Sequence, residues 1–304
     1  SKLRVCVEFE EELVLSYLEG FGESFSSSFF FFWLSSIFWK EKMFEARLEE
    51  SAVLKKILDS VRDLVQEANW DCNDDGIVMQ SMDSSHISLV CFMVRASSFE
   101  VYQCERNVSL GVKIDSLAKV LKCAAADDSV TLKADENEPN TMDILFESKK
   151  NDRISDFQLK LMVIDQEMLG IPESDYTSTV EMSSAEFRRI MGDLSTMGDS
   201  VTIEINKGGA SFSTKGDIGS GNVCLQKSAS VDKPKDGVKI TMVEPVKSTF
   251  SLKFLNIFAK AAALSDTVVL SMSEEYPIRI EFAIDKDVGY VRYYLAPKIE
   301  GQES

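Results

Sequence analysis

The chain has 304 residues, of which 44% are hydrophobic and 27% are charged, and its formal net charge is −17. This length is sufficient for two domains of ordinary size, each with its own core. A surface with this charge repels polyanions on average, which excludes a uniformly basic nucleic-acid-binding protein and leaves local clusters of basic residues as candidates.

Residues 1–42 differ in composition from the rest of the chain. They contain an acidic run from Glu8 to Glu12 and the aromatic-rich sequence FSSSFFFFWLSSIFW from Phe25 to Trp39. The apolar run is broken by serine pairs, whereas a membrane-spanning helix needs about 20 apolar residues. The acidic start is unlike a targeting sequence. We expect an upstream extension outside the fold, an artefact of the gene model or of splicing; a membrane-surface anchor is the alternative.

Four amphipathic helices follow, each with apolar residues three and four positions apart. The first runs from Val53 to Val65 and the second from Ser116 to Ala125, while the third lies around 187–194 and the fourth around 254–261. Lysines and arginines lie opposite each apolar face. The residues predicted to be buried are Leu54, Ile57, Leu58, Val61, Leu64, Val65, Leu117, Val120, Leu121, Ala124, Phe187, Ile190, Met191, Leu194, Phe254, Ile257, Phe258 and Ala261.

A short junction motif, Asp-Ser/Thr-Val followed by alternating apolar residues, recurs after three of these helices. The copies are Asp128–Leu132, Asp199–Ile203 and Asp266–Leu270, separated by 71 and 67 residues. Each begins 11 or 12 residues after the first large apolar residue of its helix. A chain of about four similar units is more typical of a repeated scaffold than of an enzyme built around one pocket.

Strands with alternating apolar residues lie between the helices, as in half-buried antiparallel sheets. Hairpin turns are predicted at Asp74–Gly76 and Lys207–Gly209. The order of elements is strand, helix and several strands, four times over, which indicates an α+β fold with helices on one face of antiparallel sheets. The segment Leu161–Tyr176 joins the two halves; it is too rich in apolar residues for a free linker and is expected to pack across the surface.

The sequence contains no motif of a known catalytic or metal site. Six cysteines form no Cys-x-x-Cys pair and are expected to be free buried thiols in a reducing compartment. The segment Asp71–Gly76 begins like a calcium loop, but position 12 is Met82, so a turn is favoured. His86, the one histidine, lies in a predicted polar turn or strand edge and has no nucleophile motif beside it. We therefore predict no catalysis, no metal and no cofactor.

Basic residues on the helices are the remaining functional candidates. On one helix such residues are most simply ordinary solvated surface, but four helices share the pattern in an acidic chain. Lysine and arginine without base-reading partners suit phosphate contacts, which implies duplex nucleic acid bound without sequence preference. The residues are Lys55, Lys56, Arg62, Lys119, Lys122, Arg188, Arg189, Lys253 and Lys260.

The sequence resembles a known protein family. The phrases MFEARL (43–48), LKK (54–56), QSMDSSH (80–86), LGIP (169–172) and YYLAPKIE (293–300) are similar to those of the eukaryotic sliding clamps, the proliferating cell nuclear antigen family. The resemblance covers residues 43–304 and does not include residues 1–42. It implies two similar clamp domains, 43–160 and 177–304, joined by an interdomain connector, 161–176.

The resemblance implies a closed homotrimeric ring with sheets outside and helices lining a hole that encircles duplex DNA. The nine basic residues then face DNA, although a family basic position on the third helix is Gly192 here, for which Arg188 compensates. The implied edges between subunits are Ile154–Leu161 and Gly221–Lys227. Such a clamp acts in the nucleus as a polymerase processivity factor and a docking platform for replication and repair proteins. The alternatives are one subunit of a heterotrimeric checkpoint-type clamp and, from other classes, an unrecognised hydrolase or a membrane-tethered protein.

The resemblance also implies a pocket for partner peptides of the form Gln-x-x-aliphatic-x-x-aromatic-aromatic. Replicative polymerase, clamp loader, flap endonuclease and DNA ligase are the implied partner types, and no membrane is involved. Lys207 resembles the ubiquitin-accepting lysine, and Val163 replaces the usual Asp beside the pocket. The residues of this peptide pocket are Met82, His86, Ile87, Leu89, Leu169, Ile171, Pro277, Tyr294, Leu295, Ala296, Pro297 and Ile299.

Overall fold

The computed structural model describes residues 42–150, 152–166, 168–170, 176–226, 237–284 and 287–298. The predicted extension therefore lies outside the described residues, apart from residue 42. The helices are α1 (Ser51–Val61), α2 (Ile114–Leu121), α3 (Ser184–Ser195) and α4 (Leu252–Phe258), and Ala96–Ser98 and Ala259–Ala263 are short 3-10 segments. None of the helices in these ranges is long and apolar enough to span a membrane.

The strands of the described residues are β1 (Lys42–Leu48), β2 (Glu67–Asn73), β3 (Gly76–Met82), β4 (Ser88–Arg95), β5 (Val101–Cys104), β6 (Val108–Lys113), β7 (Ser129–Asp135), β8 (Thr141–Glu147), β9 (Ile154–Lys160), β10 (Ser178–Ser183), β11 (Ser200–Asn206), β12 (Gly209–Gly216), β13 (Gly219–Leu225), β14 (Lys239–Met242), β15 (Val246–Ser251), β16 (Thr267–Met272), β17 (Ile278–Ile284) and β18 (Gly289–Leu295). They form three sheets, with the orders β5-β1-β7-β8-β9, β14-β10-β16-β17-β18-β4-β3-β2-β6 and β13-β12-β11-β15. Neighbouring strands are antiparallel, as predicted.

The strand order repeats with a shift of nine strands. Adding nine to each strand number of the five-stranded sheet gives β14-β10-β16-β17-β18, which is one part of the nine-stranded sheet. Adding nine to the other part, β4-β3-β2-β6, gives the four-stranded sheet. The internal repeat predicted from the junction motifs is therefore confirmed in the topology, and the central sheet is made by both halves of the chain.

The junction motif has a structural reason. The first amide of each helix needs an acceptor outside that helix, and it finds the backbone carbonyl at the start of the junction that follows the neighbouring helix. The four bonds are Ser51 N to Asp128 O (2.8 Å), Ile114 N to Gln66 O (2.9 Å), Ser184 N to Asp266 O (2.9 Å) and Leu252 N to Asp199 O (3.0 Å). The helices thus pair reciprocally, α1 with α2 and α3 with α4. No junction motif was recognised after α1, but because the acceptor is a backbone carbonyl, Gln66 fills the same role there without an Asp side chain.

The buried faces agree with the sequence for α1 and α3, whereas that of α4 was predicted only in part: Phe258 and Ala261 are buried as predicted. Phe254 and Ile257 are only half-buried, and the buried stripe is instead Leu252, Leu255, Phe258 and Ala261. Residues three apart lie on one face of an α-helix and align in a 3-10 helix, so the stripe continues from α4 into the 3-10 segment Ala259–Ala263. In α2, which begins and ends earlier than predicted, Val120 is likewise only half-buried.

The cysteines and the calcium-like segment have simple structural roles. Of the five cysteines in the described ranges, Cys72 and Cys91 are buried and Cys104 is half-buried, but Cys123 and Cys224 are exposed, so the prediction of buried thiols is wrong for them. All five are free. The calcium-like segment forms the β2–β3 hairpin turn, where the Asn73 side-chain oxygen accepts from the Asp75 amide (2.9 Å).

Candidate functional site

The predicted DNA-facing residues all lie on the helices or immediately after them. Eight are exposed, and Lys55 is half-buried. Its Nζ donates to the Ala124 carbonyl at 2.6 Å, just beyond the end of α2. Lys55 therefore helps to hold α1 against the end of α2 as well as presenting a positive charge. The exposed residues are Lys56, Arg62, Lys119, Lys122, Arg188, Arg189, Lys253 and Lys260.

The helices form one layer in the order α2, α1, α4, α3. Ser51 at the start of α1 binds the junction after α2. At its other end α1 meets the 3-10 segment that follows α4, because Lys260 there forms an ion pair with Asp63. Asn256 on α4 donates to the Met191 carbonyl of α3 (3.4 Å). The layer therefore spans both halves of the chain, with apolar faces toward the sheets and basic residues on the outward side.

Carboxylates offset part of this basic surface. Arg62 lies 3.3 Å from Asp59 and 3.9 Å from Asp63, and Asp63 also pairs with Lys260. On α3, Arg189 lies 3.7 Å from Asp193. Among the described residues, Lys56, Lys119, Lys122, Arg188 and Lys253 have no ion pair. These five residues hold the positive charge that is most available to a phosphate backbone.

Three predicted pocket residues form one cross-strand row on the outer face of the nine-stranded sheet. Met82 on β3 lies opposite Leu89 on β4, and Leu89 lies opposite Tyr294 on β18. Residues directly opposite in antiparallel strands share a face, and all three are half-buried. By contrast, the Leu295 side chain is fully buried on the other face, so Leu295 can offer only backbone to this surface.

The loop that carries His86 and Ile87 is organised by Asp83. The Asp83 carboxylate accepts hydrogen bonds from the amides of Ser85 (2.8 Å), Ile87 (2.9 Å) and Ser88 (2.6 Å) and from the Ser85 and Ser88 hydroxyls. Burial raises the pKa of Asp83, but these hydrogen bonds outweigh it and lower the pKa to about 2. The turn places His86 in a left-handed conformation (φ 56°) and leaves Ile87 45% exposed beside the row.

The connector is attached to the first half at its beginning. The Met162 amide donates to the Gly111 carbonyl on β6 (2.9 Å), and the Asn69 side chain donates to the Ile164 carbonyl (3.0 Å). A Cβ at Gly111 would lie 1.9 Å from the Met162 carbonyl oxygen, so this approach requires glycine. The connector thus extends the nine-stranded sheet at its β6 edge.

Further along, the Gln80 side chain holds the connector beside the pocket row. It donates to the Leu169 carbonyl (3.0 Å) and accepts from the Leu169 amide (2.6 Å). Leu169 is 48% exposed and Val163 is 95% exposed, in agreement with the predicted apolar surface. Of the other pocket residues, Pro277, Ala296 and Pro297 are exposed, whereas Ile171 and Ile299 lie outside the described residues.

The sequence reasoning missed two residues beside the pocket row. Arg279 on β17 lies directly opposite Tyr294, so it is the next member of the row. The Arg279 guanidinium carbon lies 4.9 Å from the centre of the Tyr176 ring, and the Tyr176 hydroxyl donates to the Pro277 carbonyl (3.1 Å). Burial raises the pKa of Tyr176 to about 12, which the Arg279 charge opposes. The alternation of apolar and polar residues along β17 was the sequence signal that could have placed Arg279 on the outer face of the sheet.

Comparisons with known proteins agree with this arrangement. The family model "Proliferating cell nuclear antigen, N-terminal domain" matches residues 43–168, and the corresponding C-terminal domain model matches residues 170–298. The chain belongs to the proliferating cell nuclear antigen family. A proliferating cell nuclear antigen from Chaetomium thermophilum is 51% identical over 261 residues, which is 86% of this chain and 100% of that protein. As a member of the proliferating cell nuclear antigen family, the chain is a DNA sliding clamp and polymerase processivity factor in DNA replication and repair.

Two further features predicted from the family are accessible in the structure. Lys207 lies in the turn between β11 and β12 and is exposed. Strands β9 and β13 each end a sheet, and within the described ranges no strand pairs with their outer edges. These edges overlap with the two segments, Ile154–Leu161 and Gly221–Lys227, that the resemblance to proliferating cell nuclear antigen predicts at the subunit boundary.

Proposed function

We propose that three copies of this chain close into a ring by pairing β9 of one subunit with β13 of the next. One observation carries the proposal. With the shift of nine strands, β9 is the counterpart of β18 and β13 is the counterpart of β4, and β18 pairs with β4 inside the chain. The contact between subunits therefore repeats a contact within the subunit.

The strand counts support the same interface. Pairing β9 with β13 joins a five-stranded sheet to a four-stranded sheet, and the combined sheet has as many strands as the nine-stranded sheet within the chain. Both edge strands have seven residues, so neither leaves a long unpaired overhang. A head-to-tail contact of this kind generates a ring when its rotation closes, and pairing removes edges that otherwise invite aggregation.

In this ring the helix layer lines the hole and its basic residues face the phosphates of duplex DNA. Arg188, which is exposed and has no ion pair among the described residues, compensates for Gly192 on the same helix. Phosphate contacts hold the duplex without reading its sequence. The ring then keeps polymerase at its template by topology and by a high effective local concentration. Catalysis has no part in this role. Because the role is in DNA replication, the proposed location of the protein is the nucleus.

The row beside Leu169 is proposed to be the docking site for partner peptides. Met82, Leu89 and Tyr294 form its floor, and the connector that Gln80 holds forms its side. One helical turn carrying an aliphatic and two aromatic anchors suits such an apolar groove. The partner types are replicative polymerase, clamp loader, flap endonuclease and DNA ligase. Residues 43–160 and 177–304 are the proposed clamp domains, and 161–176 the connector.

The first test is the mass of the full chain in solution, measured by light scattering at micromolar concentration. A homotrimer predicts a mass of three subunits. A monomer that becomes trimeric only with other clamp subunits would instead favour the heterotrimeric checkpoint-type clamp. A second measurement compares retention on closed circular DNA with retention on linear DNA after loading. Encirclement predicts loss from the linear molecule alone, because a ring slides off a free end.

A further inference from the structure

We propose that Arg279 makes one side of the peptide pocket selective for partner peptides that carry a carboxylate directly after their aromatic anchors. This inference rests on the proposed function of the pocket. The occupant is a partner segment with an aspartate or glutamate at that position. The three observations that support it are the place of Arg279 in the pocket row, its lack of an acidic partner and its unsatisfied hydrogen-bonding capacity.

The strand register fixes the place of Arg279. Along β17, β18, β4 and β3 the opposed residues are Arg279, Tyr294, Leu89 and Met82. The last three form the apolar floor of the pocket, so the guanidinium group lies at the end of that floor. On its other side Arg279 lies opposite Ser271 of β16. A peptide that reaches Tyr294 therefore comes within one strand spacing, about 5 Å, of Arg279.

The guanidinium is held in place but is not neutralised. It lies over the Tyr176 ring at 4.9 Å, and its Nη2 lies 3.3 Å from the Ser271 hydroxyl oxygen. Within the described residues no carboxylate forms an ion pair with Arg279, and its Nε is buried without a hydrogen-bond partner. A buried donor without an acceptor is uncommon and costs free energy.

Arg292 provides an internal comparison on the neighbouring strand. It also lies over a tyrosine, with its guanidinium carbon 3.8 Å from the centre of the Tyr290 ring, but its Nε binds the Glu281 carboxylate at 2.7 Å. Arg292 thus contacts both an aromatic face and a carboxylate, whereas Arg279 contacts an aromatic face but no carboxylate among the described residues. The protein supplies the aromatic ring of Tyr176, and the proposal assigns the carboxylate to the bound peptide.

Binding itself makes the missing carboxylate important. A peptide that covers Tyr294 also removes water from Arg279, and a charge that loses water without gaining a partner opposes binding. Arginine offers a planar set of donors that suits a carboxylate, and such charge-assisted bonds are stronger than neutral ones. A neutral or basic residue at that peptide position leaves the charge uncompensated. The selectivity thus has an attractive and a repulsive component.

The test uses the full chain and two fluorescent peptides that differ at one position. Both carry the Gln-x-x-aliphatic-x-x-aromatic-aromatic anchors; one continues with Asp and the other with Asn. Anisotropy at low salt is expected to give about tenfold tighter binding of the Asp peptide, which corresponds to the lower end of the range for one charge-assisted bond. Arg279→Met is expected to remove this ratio, by weakening binding of the Asp peptide and by tightening binding of the Asn peptide about twofold, because the uncompensated charge is no longer there.

Two further variants make the result specific. Arg292→Met removes a sheet arginine that already has its carboxylate, and it is expected to preserve the ratio. Arg279→Gln retains the polarity of the side chain without its charge, and it replaces Arg279→Met if that variant does not fold. Equal binding of both peptides by the unaltered chain, or an unchanged ratio in the Arg279 variants, overturns the proposal. If neither peptide binds the unaltered chain, the pocket assignment itself is wrong.

Discussion

The side-chain amide of Gln80 pairs with both backbone groups of Leu169, with an Nε2 to carbonyl oxygen distance of 3.0 Å and an amide to Oε1 distance of 2.6 Å. The Gln80 side chain, at the outer face of β3, thus pairs with the backbone of Leu169 as the backbone of a neighbouring strand would. It places Leu169 beside Met82, two residues along β3. The geometry of the pocket therefore depends on a side chain that does not itself provide an apolar contact.

Gln80→Ala is expected to weaken binding of a partner peptide without unfolding the protein. Two hydrogen bonds are lost at a cost of about 1 kcal/mol each, so an affinity loss of up to about thirtyfold is expected when the connector must be ordered by the peptide instead. Gln103→Ala, at an exposed position on β5, is the matched control and should bind normally. Isothermal titration with one peptide measures both variants. Equal affinities would show that Gln80 does not position the connector.

The internal repeat could be predicted from the sequence, because the junction motifs and helix periods are local features. The buried face of α4 was predictable only in part. Phe258 and Ala261 are buried as predicted, but the apolar residues of α4 occupy two faces of the helix, and the sequence does not show that the sheets cover Leu252 and Leu255. Arg279 was missed for a different reason. Its place beside Tyr294 depends on the pairing of β17 with β18, which only the folded sheet reveals.

Asp83 is expected to make the stability of the pocket loop depend on pH. Its pKa is lowered to about 2, so the carboxylate stabilises the fold above its unfolded pKa of about 4 and this contribution is lost as the pH falls through about 2. The shift corresponds to about 2 kcal/mol. Asp83→Asn should therefore be less stable than the unaltered chain at pH 7, and the difference should shrink toward pH 2. Urea unfolding at several pH values measures this difference; Asp75→Asn in the exposed β2–β3 turn is the control.

Phe157→Ala is expected to weaken ring closure. Phe157 is half-buried on the edge strand β9 and packs on Phe146, with ring centres 5.6 Å apart. Removing it leaves a gap beside the proposed contact with β13, so light scattering should detect monomers at concentrations where the unaltered chain is trimeric. Ile240→Ala, a half-buried residue on the edge strand β14, tests whether any edge truncation has this effect. Dissociation of both variants to the same extent would contradict the assignment of the interface to β9.

Part of the basic surface was also predictable, and its limits have a physical cause. Each helix face shows its own charges in the sequence, so Lys119 and Lys122 were found correctly as exposed basic residues. The partner of Lys260 was not found, because Asp63 lies 197 residues away in sequence. Local patterns report which side chains are exposed, whereas neutralisation depends on contacts between distant helices.

The pair formed by Lys260 and Asp63 is expected to restrain binding of DNA. Asp63 offsets Lys260, whereas Arg62 lies 3.9 Å from Asp63 but closer, 3.3 Å, to Asp59. Asp63→Asn therefore makes Lys260 available to phosphates and leaves Arg62 paired with Asp59. At low salt, affinity for a short duplex should rise about threefold. Each new phosphate contact should make the slope of log affinity against log salt steeper by about 0.9. Asp74→Asn, the same charge change in the exposed β2–β3 turn, should leave the slope unchanged.

The same substitution provides a check that the effect is local. Surface ion pairs contribute about 0–1 kcal/mol, so Asp63→Asn should shift the thermal unfolding midpoint by only a few degrees. Lys260→Gln should have the opposite effect on DNA, with weaker binding and no steeper salt slope. If Asp63→Asn and Asp74→Asn raise DNA affinity equally, net charge alone is responsible. The carboxylate between α1 and the Ala259–Ala263 segment would then have no specific part in DNA binding.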